Sequence, residues 1–126
     1  MADRNIELAT FVRGDCDPAN FPHREHVRMG FEMLRRHNFA ETVLHFSRAL
    51  RTMAARGGNP GAYHETITIA FLSLIAERMR DETDYEAFEA LNPDLLDKRT
   101  LERWYRPDRL ASDRARRTFV LPGPIA

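Results

Sequence analysis

The sequence predicts an all-α protein: a three-to-four-helix antiparallel bundle followed by short C-terminal helices and an extended tail. Apolar side chains recur at intervals of three and four residues in the long segments between about residues 20 and 80, which is the period of an α-helix. Short breaks at Asn38 and at residues 57–61 separate these segments, so consecutive helices are expected to lie antiparallel. No stretch has the composition of a convincing strand.

Loop-forming residues divide the chain into its predicted elements. The predicted helices span residues 4–12, 22–37, 39–56, 62–80 and 83–91, with helical pieces near 100–105 and 112–117. Residues 62–80 are apolar on nearly all sides, so this helix is expected to be the most buried. Thr83 is the predicted cap of the next helix. Prolines in the last residues predict an extended tail.

Length and composition indicate one soluble domain, residues 1–126, with a core bundle at about 20–80 and an accessory C-terminal segment at 81–126. Nineteen basic and nineteen acidic side chains cancel, so no overall field favours nucleic acid or an anionic membrane. The single cysteine, Cys16, is typical of a reducing compartment. No apolar run is long enough to span a bilayer and no leader pattern precedes the first helix, so we expect a cytoplasmic protein.

Two histidine-containing stretches are the candidate functional motifs. FPHREHVR, residues 21–28, places His23 and His26 three residues apart near the start of one long helix. YHETIT, residues 63–68, places His64 near the start of another. In an up-down-up bundle the first and third long helices begin at the same end, so the three imidazoles are expected to meet there.

Three histidines around one open position are the pattern of a catalytic metal site. We therefore interpret His23, His26 and His64 as ligands of a divalent transition metal. Nitrogen ligands favour Zn, Fe, Ni or Cu over magnesium, and the sequence does not select among these four. Nearby Asp15, Cys16 and Asp17 are candidates for outer contacts or a fourth ligand. FPHREHVR does not have the spacing of an HExxH zinc motif. Its nearby glutamate, Glu25, lies on another helix face, so a zinc-protease assignment fails.

A metal-dependent enzyme would need proton-transfer and substrate-binding groups at the same end. Glu65 and Tyr63 are the candidate proton-transfer residues. Arg28, Thr66 and Thr68 are the candidates for orienting a small anionic substrate, since helix N-termini favour negative charge.

Two alternatives stay open at this point. The histidines can be structural, hydrogen-bonded to carbonyl groups, in a non-enzymatic helical module that binds a ligand, another protein or a second copy of itself. They can also line a ligand pocket without metal. Whether the protein is an enzyme does not follow from the sequence.

At these two motifs the chain resembles a family of small bacterial helical proteins of uncharacterised function. The shared patterns are F-x-H-x-x-H-x-R and Y-H-x-T-x-T, found here at Phe21, His23, His26, Arg28, Tyr63, His64, Thr66 and Thr68. The segment WYRPDRLASDRARRTFVLPGP is similar to the family's ending, so the resemblance covers residues 20–123, although Gly123 stands where the family has an acidic residue. The resemblance implies that both motifs serve one site, and it implies no reaction.

Overall fold

The computed structural model describes residues 2–82 and 84–124, and within them it contains helices and no strand. The α-helices are Ala2–Val12 (α1), His23–Arg36 (α2), Phe39–Arg56 (α3), Glu65–Arg78 (α4), Tyr85–Leu91 (α5), Pro107–Leu110 (α6) and Asp113–Arg117 (α7). Short 3₁₀ segments lie at Pro18–Asn20, Pro60–Ala62, Pro93–Leu96 and Lys98–Arg103. The predicted all-α helical bundle is confirmed. In this part of the chain no helix combines the length and apolar character needed to cross a membrane.

Helices α2 and α4 both occupy the centre of the fold, since both contribute residues to its two buried clusters. In α2, Val27 and Phe31 are buried in a cluster with α4 and with the C-terminal half of the chain. Its Met29 and Met33 are buried in a second cluster with α1 and α3. α2 therefore has buried faces on two sides, because α1 and the C-terminal segment cover it.

The approach of α2 to α4 depends on Gly30. A side-chain carbon added at Gly30 would lie 3.0 Å from Leu72 Cδ2 and 3.1 Å from Ile75 Cδ1, both on α4. Only glycine leaves the two helices this close without a shift of those side chains. The close contact sets the spacing between the two helices whose N-terminal ends carry the histidine motifs.

The start of α4 differs from the prediction. We expected a helix over 62–80, but Pro60–Ala62 forms a separate 3₁₀ turn and α4 spans Glu65–Arg78. The backbone of His64 is extended, and His64 is the N-cap of α4 rather than a residue of its first turn. The predicted cap Thr83 lies outside the described residues; the Asp84 side chain accepts a hydrogen bond from the Ala87 N–H and caps α5.

Candidate functional site

The N-terminal ends of α2 and α4 border one open pocket of about 390 Å³, which we call the histidine pocket. Its apolar wall includes Phe21, Pro22, Leu50, Met53, Ala54 and Ile67. Its polar side chains are His23, His26, Tyr63, His64, Thr68 and Lys98. The histidines of both motifs thus lie around a common space at one end of the bundle.

His23 is held by the C-terminal half of the chain. Its Nε2–H donates to the carbonyl oxygen of Leu95 at 2.9 Å, and its ring meets the Phe71 ring edge-on, with centroids 4.6 Å apart. Burial lowers the pKa of His23 below its ordinary value, against the opposing effect of the Leu95 carbonyl. The ring is therefore neutral at pH 7, and Nδ1 is its lone-pair nitrogen.

His26 lies deeper than His23 and is also neutral. Burial lowers its pKa to about 4, with further contributions from His23 and from the positive charge of Lys98. Its ring packs against Phe21, with centroids 4.9 Å apart, and lies 6.3 Å from the His23 ring. A smaller apolar cavity of about 50 Å³ lies behind the same two histidines, lined mainly by α3 and α4.

His64 has both ring nitrogens engaged. Nδ1 accepts the Ile67 N–H at 3.1 Å and thereby caps α4, while Nε2–H donates to the carbonyl oxygen of Leu110 at 2.7 Å. These two hydrogen bonds fix one neutral tautomer and leave no ring lone pair free. Metal coordination by His64 would require the loss of the cap or of the bond to Leu110.

Thr66 connects the second motif to the C-terminal tail. Its hydroxyl is buried, donates to the carbonyl oxygen of Thr118 at 2.8 Å and accepts the Val120 N–H at 3.1 Å. Tyr105 donates to the carbonyl oxygen of Val120 at 2.7 Å and so binds the same tail. Within the described residues Thr66 does not line the histidine pocket, and its side chain holds the tail on α4.

The remaining residues of YHETIT form local hydrogen bonds. The Tyr63 hydroxyl donates to the Glu65 carboxylate, which also forms an ion pair with Arg51 at 3.2 Å. Burial and the bond to Glu65 raise the pKa of Tyr63, so the phenol stays protonated. Thr68 lines the pocket, but its hydroxyl donates to the carbonyl oxygen of His64 at 2.7 Å. Glu65 is not among the described residues that line the pocket.

Arg28 lies on a different side of α2. Its guanidinium binds Glu25 at 2.6 Å and Glu7 at 2.9 Å, and it lines a separate pocket of about 290 Å³ with Cys16 and Asp17. Burial raises the pKa of the Cys16 thiol, which disfavours the thiolate that a metal would need. This arrangement places Arg28, Cys16 and Asp17 away from the three histidines. Asp15, the other candidate in that loop, is paired with arginines.

Lys98 is the pocket residue that sequence reasoning missed. It is the only lysine among the nineteen basic side chains, and the 3₁₀ turn Lys98–Arg103 places it at the pocket rim. Its charge contributes to lowering the pKa of both His23 and His26. The residue type was the one sequence feature that could have indicated a role for Lys98, because every other cation of the basic C-terminal segment is arginine.

Within residues 2–82 and 84–124, no group of three or more histidine, cysteine, aspartate or glutamate side chains is arranged to hold a metal ion. A comparison with protein-family models, curated proteins and solved structures returned no match. The resemblance to the small bacterial family therefore stays a prediction.

Proposed function

We propose that the protein binds a small molecule in the histidine pocket, and that His64 supports this pocket structurally. The observation that carries the proposal is an open, largely apolar cavity of about 390 Å³ with a few polar groups at two helix N-termini. Small-molecule sites are typically concave, mostly apolar and supplied with a few polar groups that set ligand orientation. The size, the lining and the position of the cavity agree with this class.

The pocket is also rigidly supported. His23 is bonded to Leu95, and His64 to Leu110 and to the nearby Ile67, so two distant parts of the chain and one local contact hold the two rings. Rings that are already held in place lose little conformational entropy when a ligand binds. This support favours ligand binding over a surface depression without a role.

A pocket-filling variant tests the proposal. Ala54 lines the pocket and its α3 neighbour Ala55 is exposed, so Ala54→Phe should block the cavity whereas Ala55→Phe adds the same ring outside it. Ligand-observed NMR with a library of one- and two-ring fragments should find ligands of the wild type and of Ala55→Phe that do not bind Ala54→Phe. A wild type without ligands, or ligands that bind all three proteins equally, would contradict the proposal. Circular dichroism checks that both variants are folded.

A metal-binding function is the second candidate, favoured by the neutral state of His23 and His26. Histidine ligands of metals commonly donate their other ring N–H to a carbonyl group, as His23 does to Leu95. These two side chains lie one helical turn apart with ring centroids 6.3 Å from each other. In this candidate they provide two ligands for a divalent transition metal, and solvent or a bound anion completes its coordination.

Elemental analysis of protein purified without chelator tests the second candidate. The wild type should carry a stoichiometric transition metal, and the double variant His23→Ala/His26→Ala should not. His37→Ala, at the other end of α2, is the matched control and should retain the metal. A wild type without stoichiometric metal, and without a gain in thermal stability on adding zinc, would overturn this candidate.

A further inference from the structure

Lys98 brings a positive charge to a pocket whose other polar side chains are uncharged. His23 and His26 are neutral, and Tyr63 is protonated and bonded to Glu65. Lys98 is exposed at the rim. Among the residues that the structure describes, no carboxylate forms an ion pair with it. Its neighbour Asp97 is engaged with the backbone N–H and side chain of Arg99.

We propose that the ligand of the histidine pocket is a small carboxylate with an apolar body, whose carboxylate is bound by Lys98. This inference rests on the proposed function and names the class of ligand. Lys98 forms no ion pair with a described residue of the protein, so its ammonium group is available to the carboxylate of a ligand.

The positive charge at the pocket is suited to a ligand with a single negatively charged group. Helices α2 and α4, fourteen residues each, begin at the pocket, and their N-terminal ends add partial positive charge to that of Lys98. A dianionic phosphate is usually held by several cationic donors, often with an arginine fork. Here one lysine faces neutral imidazoles, which matches one carboxylate.

The side chains that line the pocket are suited to the apolar part of such a ligand. Leu50, Met53 and Ile67 line the cavity, and the Phe21 ring extends the apolar surface beside His26. An apolar cavity of about 150 Å³ is large enough for benzene, so a cavity of about 390 Å³ has room for a ring and a short acidic side chain. Burial of that ring supplies affinity, and the lysine selects the head group.

Three probes share a phenylethyl group and differ in the head group: 3-phenylpropionate, 3-phenylpropanamide and 3-phenylpropylamine. Calorimetric titration with each probe at low ionic strength separates the contribution of the charge from that of the apolar group. The wild type should bind the carboxylate about tenfold more tightly than the amide, as expected for one charge-assisted hydrogen bond at a partly exposed site. The amine should bind most weakly. Lys98→Met should remove most of the preference for the carboxylate over the amide and leave amide binding unchanged. Arg106→Met removes an equal charge from an exposed residue outside the pocket and should retain the preference.

The outcomes separate the ligand class from the pocket itself. Equal binding of carboxylate and amide by the wild type, or an unchanged preference in Lys98→Met, would overturn the carboxylate inference and leave pocket binding intact. Failure of all three probes to bind would overturn both. A preference that is largely lost in Lys98→Met, persists in Arg106→Met and weakens with added salt would support the inference.

Discussion

Thr66→Val and Thr42→Val form a matched pair with opposite expected effects on stability. Both threonines are fully buried, at 0% exposure, and valine has nearly the same shape. The Thr66 hydroxyl donates to the Thr118 carbonyl and accepts from the Val120 N–H. The Thr42 hydroxyl, in contrast, has no hydrogen-bond partner in the described part of the chain. The substitutions thus differ mainly in the hydrogen bonds they remove.

The expected changes in the free energy of unfolding follow from the hydrogen bonds that each substitution removes and from the buried polar atoms that it leaves or eliminates. Two hydrogen bonds at about 1 kcal/mol each give a loss of about 2 kcal/mol for Thr66→Val. Removing a buried hydroxyl that lacks a partner should stabilise Thr42→Val by about 1 kcal/mol. At about 4 °C per kcal/mol for a chain of this length, the two variants should melt about 12 °C apart.

Thermal and urea denaturation followed by circular dichroism measure this difference. Thr66→Ser retains the hydroxyl and loses only a methyl group, so it should be clearly more stable than Thr66→Val if the hydrogen bonds to the tail matter. A Thr66→Val protein within about 0.5 kcal/mol of the wild type, or equal shifts for both valine variants, would refute the assigned role of Thr66.

Substitutions at three further residues test other contacts by the same denaturation assays. His64→Ala should cost about 2 kcal/mol and His64→Asn about 1 kcal/mol, because asparagine keeps a helix cap but is too short for the bond to the C-terminal segment; equal losses would contradict this division. Burial lowers the pKa of His26 to about 4, so its contribution to stability is complete above about pH 6.5 and is lost as the pH falls toward 4, by roughly 3 kcal/mol in all. His26→Gln should flatten this pH dependence and His37→Gln should not, whereas identical profiles would exclude His26 as the cause. Gly14→Ala should destabilise by at least about 1 kcal/mol, since Gly14 has φ +75° and an added carbon would lie 2.6 Å from Thr52; a neutral result would contradict the backbone assigned to that loop.

Helix periodicity and breakers were sufficient to predict the bundle and the end at which the histidine motifs meet. The step of three and four residues defines the long helices, and Asn38 and the breaker residues 57–61 separate them. Because α2 and α4 run in the same sense, their N-terminal residues lie at one end. Local sequence patterns were therefore sufficient to predict the end of the bundle at which the pocket lies.

The partners of individual side chains could not be predicted, because they come from distant parts of the chain. His64 bonds to Leu110 and Thr66 bonds to Thr118, and both contacts depend on how the C-terminal segment crosses α4. Once the segment is placed, the C-terminal tail and YHETIT are parts of one hydrogen-bonded unit. Lys98 likewise reaches the pocket through the second 3₁₀ segment after α5, Lys98–Arg103.

The ring protons of the five histidines provide the most direct test of ligand binding in the histidine pocket. His37 and His45 form a separate pair with rings 6.0 Å apart and do not line the pocket within the described residues. Titration with 3-phenylpropionate, followed by ¹H–¹³C NMR of the imidazole rings, should shift the signals of His23 and His26 and leave those of His37 and His45 in place. Equal shifts in both groups, or unchanged His23 and His26 signals at saturating ligand, would contradict the account.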